Sequence, residues 1–127
     1  MEIKQDTLYH NLAKICSSKN ISSDPKLLKD YSSDMSFLTG SLPKLIVWPE
    51  KVQQIIKILK LANQFNFSVI PISSDSKLRQ HGDTVPRKED SIIMNLSKMN
   101  KIQSIDRRNR VVKIEPGVTY ATLIPKL

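Results

Sequence analysis

The chain has 127 residues, of which 39% are hydrophobic, enough for one domain with one core but too few for two. Twenty Lys and Arg against 12 Asp and Glu give a formal net charge of +8. No apolar stretch approaches the roughly 20 residues that cross a bilayer, and the first residues lack the order of a signal peptide. We therefore expect a cytoplasmic protein without a membrane span. The single cysteine, Cys16, excludes an internal disulfide and a multi-thiolate metal site.

The positive charge suits a phosphate-bearing partner, which can be a nucleotide cofactor, a nucleic acid or an acidic protein surface. The basic residues are spread through every segment, and the sequence has no zinc-finger, RNA-recognition or basic-zipper pattern. We therefore expect no nucleic-acid partner, although a basic nucleic-acid-binding domain stays open as the weakest alternative. Much of the excess charge is expected to be solvated lysine.

Two short helices are predicted near the amino terminus. Asp6 is placed to cap the first, whose apolar positions recur at helical spacing up to Cys16. Asp24 followed by Pro25 predicts the start of the second, over residues 26–30. Residues 31–44 are rich in Ser, Gly and Pro and read as a connection, so residues 1–44 are predicted to be an N-terminal helical extension.

A strand, a helix and a second strand are predicted next. The strands are the apolar runs at residues 45–48 and 68–72, and the helix begins at Pro49 and continues to about Phe65. Such a short connection favours parallel pairing with a right-handed crossover. One apolar stripe of the helix is predicted to lie against the sheet, and its central members are Ile55, Ile56 and Leu59.

The rest of the chain predicts a third strand at residues 91–96 and a hairpin formed by residues 103–106 and 111–115. Thr119 is placed to cap a last short helix. The predicted fold class is α+β, or α/β-like: a β-α-β unit plus a β-hairpin in a small mixed sheet, with N-terminal helices.

The polar loop at residues 73–86 is the best candidate for a ligand site. It follows a strand end, where open α/β sheets bind ligands, and Gly82 permits a close backbone approach. It also carries the hydroxyls and cations that bind a pyrophosphate, namely Ser73, Ser74, Ser76, Lys77, Arg79 and Thr84. A solvated surface loop has a similar composition, so both interpretations stay open on spacing alone.

Three blocks of sequence stand in a recognisable order. Pro71 ends a strand, Asn95-Leu96-Ser97-Lys98-Met99-Asn100 follows, and Glu115-Pro116-Gly117-Val118 comes last. Together they resemble the N-terminal FAD-binding domain of the vanillyl-alcohol oxidase and p-cresol methylhydroxylase family. The resemblance covers about residues 31–127, and it implies that residues 45–127 form the first part of such a domain in an FAD-linked oxidoreductase.

The resemblance also implies that the loop at residues 73–86 wraps the FAD pyrophosphate. It adds Pro71 and Asp83 to the candidate cofactor-binding residues, and Asp83 is expected to fix the loop by accepting backbone N–H bonds. His81 raises the alternatives of a catalytic base and of covalent flavin attachment, but we expect a solvated or loop-bracing histidine. We predict no catalytic residue and no metal site, since two separated histidines and one cysteine do not form one.

In such a family the second half of the flavin domain and the substrate domain complete the enzyme. We therefore expect that this chain is not catalytic alone and that it requires a second polypeptide or self-association. The alternative is a non-catalytic assembly subunit that retains the fold but has lost FAD. Its basis is the glycine-poor start of the loop, Ser73-Ser74-Asp75-Ser76, where most members carry several glycines.

Overall fold

The structure is a computed structural model that describes residues 3–73, 75–76 and 78–127. Its helices are α1 (Gln5–Cys16), α2 (Pro25–Tyr31), α3 (Val52–Phe65) and α4 (Tyr120–Leu123). Its strands are β1 (Ile21–Ser22), β2 (Leu45–Val47), β3 (Ser68–Ile72), β4 (Ser91–Asn95), β5 (Ile102–Asp106) and β6 (Val111–Ile114). The predicted fold class is confirmed. Within the described ranges, no helix has both the length and the apolar character that a membrane span requires.

The main sheet has the strand order β1-β2-β4-β3. Strands β2 and β3 each pair in parallel with β4, whereas β1 pairs antiparallel with β2. The predicted strand-helix-strand unit is present, but β4 lies between its two strands. All five residues of β4 are buried, as expected for a central strand covered on both faces. Strand β3 lies at the edge of the sheet. Pro71 lacks a backbone N–H, and an edge strand tolerates proline because its open side has no partner strand to bond.

The predicted hairpin forms from β5 and β6, which pair antiparallel with a register irregularity between Ile102 and Ser104. It makes a separate two-stranded sheet and does not extend the main one. Two backbone bonds continue its pairing beyond the strands: the Gly117 N–H donates to the Met99 carbonyl at 2.7 Å, and the Glu115 N–H donates to the Lys101 carbonyl at 3.0 Å. The segments that flank the hairpin are thus joined to each other.

The amino-terminal segment contributes to the central core. Leu8, Leu12 and Cys16 of α1 are buried in the same cluster as residues of β2, α3 and β4. The first helix has Lys4 at its N-cap and Asp6 in its first turn, so the predicted Asp6 cap is wrong. The Asp24 cap of α2 is confirmed, because its Oδ1 accepts the Lys26 N–H at 3.3 Å. The division of the chain at residue 44 stays a prediction.

Burial also sets the chemistry of the one thiol. Cys16 is buried, and desolvation, with a smaller contribution from the charge of Glu50, raises its pKa to about 11. The thiol is therefore protonated at neutral pH and a poor nucleophile.

The buried face of α3 differs from the predicted one. Ile58 and Ala62 are buried against the sheet, whereas Ile56 and Leu59 are 46% and 45% exposed. Of the three residues predicted to face the sheet, only Ile55 packs against the core. The prediction failed because the helix is apolar over more than half of its circumference, so periodicity alone does not select the face. The helix also begins at Val52 and not at Pro49. The Glu50 N–H, just before the helix, donates to Gln54 Oε1 at 2.7 Å.

Candidate functional site

The candidate site lies at the carboxyl edge of the main sheet. The parallel strands β2, β4 and β3 all end at this edge, and the loop at residues 73–86 leaves from the last of them. This is the edge at which open α/β sheets bind ligands.

Asn95, the last residue of the central strand, is buried and has a fixed orientation. Its Oδ1 accepts the Ser97 N–H at 3.0 Å, so its Nδ2 faces the other way. The Nδ2 donates to the Tyr31 hydroxyl at 3.0 Å and also to Asp75 Oδ1. The carboxyl end of β4 therefore presents a preorganised donor to the start of the loop.

Tyr31 supplies a second donor beside Asn95. Its hydroxyl lies 3.4 Å from Asp75 Oδ1. Burial raises the pKa of Tyr31, the hydrogen bond from Asn95 opposes this shift, and the negative charge of Asp75 adds to it. The phenol is therefore protonated at neutral pH and can donate. The guanidinium carbon of Arg79 lies 4.9 Å from the centre of the ring, within the range of a cation–π contact.

Arg79 fastens the loop to α2. Its Nη1 donates to the Ser76 carbonyl at 3.0 Å, and its Nη2 donates to the Asp30 carbonyl at 3.4 Å. The Met35 N–H donates to the Arg79 carbonyl at 2.8 Å. The residue lines a cleft of about 590 Å³ that carries cations and carboxylates, among them Lys26, Lys29, Asp30, Asp34 and Asp75.

Asp34 fixes the middle of the loop. Its Oδ2 accepts the Gly82 N–H at 2.6 Å, and its Oδ1 accepts the Ser36 N–H at 2.8 Å. Hydrogen bonds, first from the Ser36 hydroxyl and also from the Ser36 and Gly82 N–H groups, hold the pKa of Asp34 below its usual value. Asp34 thus fixes the loop, whereas Asp83 is exposed and its loop-fixing role stays a prediction.

Gly82 has the positive φ, 72°, that its residue type predicts. A Cβ at this position would lie 2.2 Å from Leu38 Cδ1. The need for glycine is therefore explained within the protein, by Leu38 and by the Asp34 hydrogen bond. A Gly82→Val variant would disturb this packing whether or not a ligand binds, so it is not a clean test of the cofactor site.

We expect the Gly82 amide proton to report the protonation of Asp34. The pKa of Asp34 is lower in the folded chain than in the unfolded chain. The stability that its carboxylate contributes through the bond to Gly82 is therefore present above the unfolded pKa, and it is lost as the pH falls through the folded pKa. NMR should show the Gly82 amide shift titrating with a midpoint below the ordinary aspartate value of about 3.9. Asp34→Asn should abolish the titration and Asp83→Asn should preserve it. A midpoint at the ordinary value would contradict the assignment.

The predicted cofactor-binding residues fall into two groups. Pro71, Ser73, Ser76 and Arg79 lie on or follow the carboxyl half of β3. Gly82 and Asp83 line a different cleft, of about 250 Å³, together with residues of the amino half of β3. The loop therefore turns back along the edge strand.

The remaining predicted residues have separate positions. The Thr84 hydroxyl is buried and has no hydrogen-bond partner among the described residues. His81 is exposed on a third cleft, beside Phe37 and Leu38. Ser74 and Lys77, also predicted to bind the cofactor, lie outside the described residues.

The second and third blocks of the resemblance contact each other. A Cβ on Gly117 would lie 2.6, 2.7 and 2.8 Å from the carbonyl oxygens of Leu96, Ser97 and Met99. Glu115 Oε2 accepts the Lys101 N–H at 2.8 Å. The segment that follows β4 and the segment that follows β6 therefore pack backbone against backbone.

Comparison with known proteins decides the family. A family model described as the FAD binding domain matches residues 43–127. The chain belongs to the FAD-binding domain family. The resemblance seen in the sequence is thereby confirmed, and FAD is the cofactor of this family.

Relatives of this FAD-binding domain are much longer proteins. The chain is 30% identical over 83 residues to alkyldihydroxyacetonephosphate synthase of Caenorhabditis elegans, which covers 65% of this chain and 14% of that protein. It is 29% identical over 129 residues to D-lactate dehydrogenase [cytochrome] 1, mitochondrial, of Saccharomyces cerevisiae. This match covers 95% of this chain and 22% of that protein. The solved structure of p-cresol methylhydroxylase with substrate bound superposes with a TM-score of 0.83 at 23% identity, over 95% of this chain and 24% of that one. This last likeness shows the fold.

Four residues of this FAD-binding domain that make these contacts were not among the predicted cofactor-binding residues: Tyr31, Asp34, Asp75 and Asn95. The first two belong to the Tyr-Ser-Ser-Asp stretch, which the sequence interpretation treated as a connection. Asn95 opens the Asn-Leu-Ser block, where its position at the end of a buried strand was the available signal. The donors of Asn95 and Tyr31 fit an anionic group, but the Asp75 carboxylate accepts from both.

Proposed function

We propose that this chain is the FAD-binding part of a flavin-dependent oxidoreductase and that residues 73–86 hold the FAD pyrophosphate. The observation that carries the proposal is the family match over residues 43–127, combined with the emergence of this loop at the carboxyl edge of a parallel sheet. FAD would supply the electron transfer. The chain would supply binding and orientation.

Particular residues are suited to the pyrophosphate. Ser73 directly follows β3 and is exposed, and the charge of Arg79 lies beside the same part of the loop. Hydroxyl groups, main-chain N–H groups and a guanidinium are the groups that bind phosphate oxygens in proteins. The net charge of +8 favours the approach of an anionic cofactor.

We also propose that a further polypeptide completes the flavin site. Several large apolar side chains are exposed near the loop and near α4, among them Phe37, Met35, Leu78, Tyr120 and Ile124. In the part of the chain that the structure describes, no further strand pairs with either edge of the β5–β6 hairpin. Surfaces and strand edges of this kind are normally covered in soluble proteins. The chain spans 14% to 22% of the length of the two relatives described above, which leaves room for such a partner region in the whole protein.

The visible spectrum of the purified chain, measured with light scattering, tests this proposal. We expect weak or no FAD binding by the isolated chain, self-association or capture of a partner, and a yellow flavin spectrum once the partner is added. A stable monomer that holds stoichiometric flavin would contradict the dependence on a partner. A chain that stays colourless with its partner would contradict FAD binding.

Ser73→Ala tests the loop assignment. The Ser73 side chain is exposed, so its loss should leave the stability nearly unchanged. If the hydroxyl binds a phosphate oxygen, FAD affinity should fall by about threefold to tenfold, the equivalent of one hydrogen bond. The matched control is Ser104→Ala, which removes an exposed hydroxyl from β5. Equal affinities of the two variants would remove Ser73 from the site.

A non-catalytic assembly subunit is the second candidate. Two observations favour it: the Gly82 N–H is already bonded to Asp34, and Asp75 accepts from the donors at the end of β4. Such a subunit would bind its partner without flavin. The spectrum of the assembled complex separates the two candidates.

A further inference from the structure

Asp75 lies over the carboxyl end of the central strand. Its Oδ1 accepts from Asn95 Nδ2, and the Tyr31 hydroxyl lies 3.4 Å from the same oxygen. Both donors are held in place, Asn95 by the Ser97 N–H and Tyr31 by its burial on α2. The carboxylate therefore stands where an anionic ligand at this edge of the sheet would accept hydrogen bonds.

We propose that Asp75 is an internal competitor for the anionic ligand. A phosphate or pyrophosphate group reaches Asn95 and Tyr31 only after the Asp75 side chain has moved away, so this residue sets how tightly the loop binds anions. The inference rests on the proposed function, because both place the ligand at the same edge. The inference goes further because it names Asn95 and Tyr31 as the donors and the Asp75 carboxylate as the group that occupies them.

The competition follows from charge and from donor number. A carboxylate oxygen and a phosphate oxygen accept the same N–H and O–H groups, and two anions cannot share them without strong repulsion. The Asp75 residue is exposed, so its side chain can turn into solvent without rearranging the core. Arg79 stays beside Tyr31 through its contacts with the Ser76 and Asp30 carbonyls, and its charge favours the anion that replaces the carboxylate.

Calorimetric titration of the full chain tests the competition. Pyrophosphate and FAD are titrated separately into the unaltered chain and into the variants Asp75→Ala and Asp75→Asn. Glu89→Ala is the matched control, since it removes an exposed carboxylate that lies outside the loop. We expect Asp75→Ala to raise pyrophosphate affinity at least about tenfold, because one like charge next to the ligand is removed. Asp75→Asn should gain less because it keeps an acceptor, and the control should change by less than about threefold.

Each outcome decides the inference. A gain confined to position 75, with pyrophosphate shifting the NMR signals of the Asn95 side-chain amide, supports it. Equal gains at positions 75 and 89 would reduce the effect to net charge and overturn it. Weaker or unchanged binding in both Asp75 variants overturns it, as does an absence of pyrophosphate binding in every protein.

The FAD titration separates this inference from the proposed function. If the Asp75 variants bind pyrophosphate more tightly and no protein binds FAD even with its partner, the competition stands and the flavin function fails. If FAD binds and its affinity is the same with and without the Asp75 carboxylate, the flavin function stands and the competition fails.

Discussion

Ile58→Ala is expected to lower the free energy of unfolding by about 2 to 5 kcal/mol, the usual cost of emptying a fully buried aliphatic site. Ile58 is 0% exposed and packs in the core cluster formed by α1, α3 and the main sheet. The neighbours are held by strands and helices, so they can collapse only partly into the space. Urea unfolding monitored by circular dichroism measures the loss.

Ile56→Ala is the matched control, with the same side chain on the same helix. Ile56 is 46% exposed, so its truncation should cost less than about 1 kcal/mol. A larger loss at Ile56 than at Ile58 would show that the other face of α3 is the buried one.

Gly117→Ala is expected to destabilise the chain by about 1 to 3 kcal/mol, the usual cost of inserting atoms into a packed site. The new methyl group would lie 2.6 to 2.8 Å from three carbonyl oxygens, and backbone atoms cannot move aside as a side chain can. The same unfolding measurement applies. The change should also perturb the Gly117 N–H bond to Met99, which joins the two segments that flank the hairpin.

The control for Gly117 is Lys113→Ala, an exposed position on β6 that should change the stability by less than about 0.5 kcal/mol. If Gly117→Ala were as stable as this control, the close contact between the segment after β4 and the segment after β6 would be contradicted.

The elements of the fold were largely predictable from local patterns. The apolar runs at β2, β3 and β4 and the Asp24-Pro25 helix start have local causes, and the structure places them within a residue or two of the prediction. The face of α3 was not predictable, because Ile56 and Ile58 are equally apolar and only the position of the sheet distinguishes them. The placement of β4 between its neighbours is likewise a non-local property.

The candidate site was predictable in its location but not in its contacts. The strand end and the polar loop are visible in the sequence, whereas the bonds from Asp34 to Gly82 and from Asn95 to Asp75 join residues 48 and 20 positions apart. A short polar stretch such as residues 31–34 has no periodicity that indicates a partner so far along the chain. These contacts form only because the fold brings the end of α2 and the loop together.

The central position of β4 fixes the order in which the chain can fold during synthesis. Among the described residues, β3 pairs with β4 alone, and β2 joins β3 through β4. A nascent chain that has emerged as far as residue 90 can therefore form α1, α2, α3 and the β1–β2 pair, but not the whole sheet. Its apolar strands stay exposed until residues 91–95 leave the ribosome, a state that invites aggregation and chaperone binding. A truncation before Ser91 would hold the chain in that state permanently.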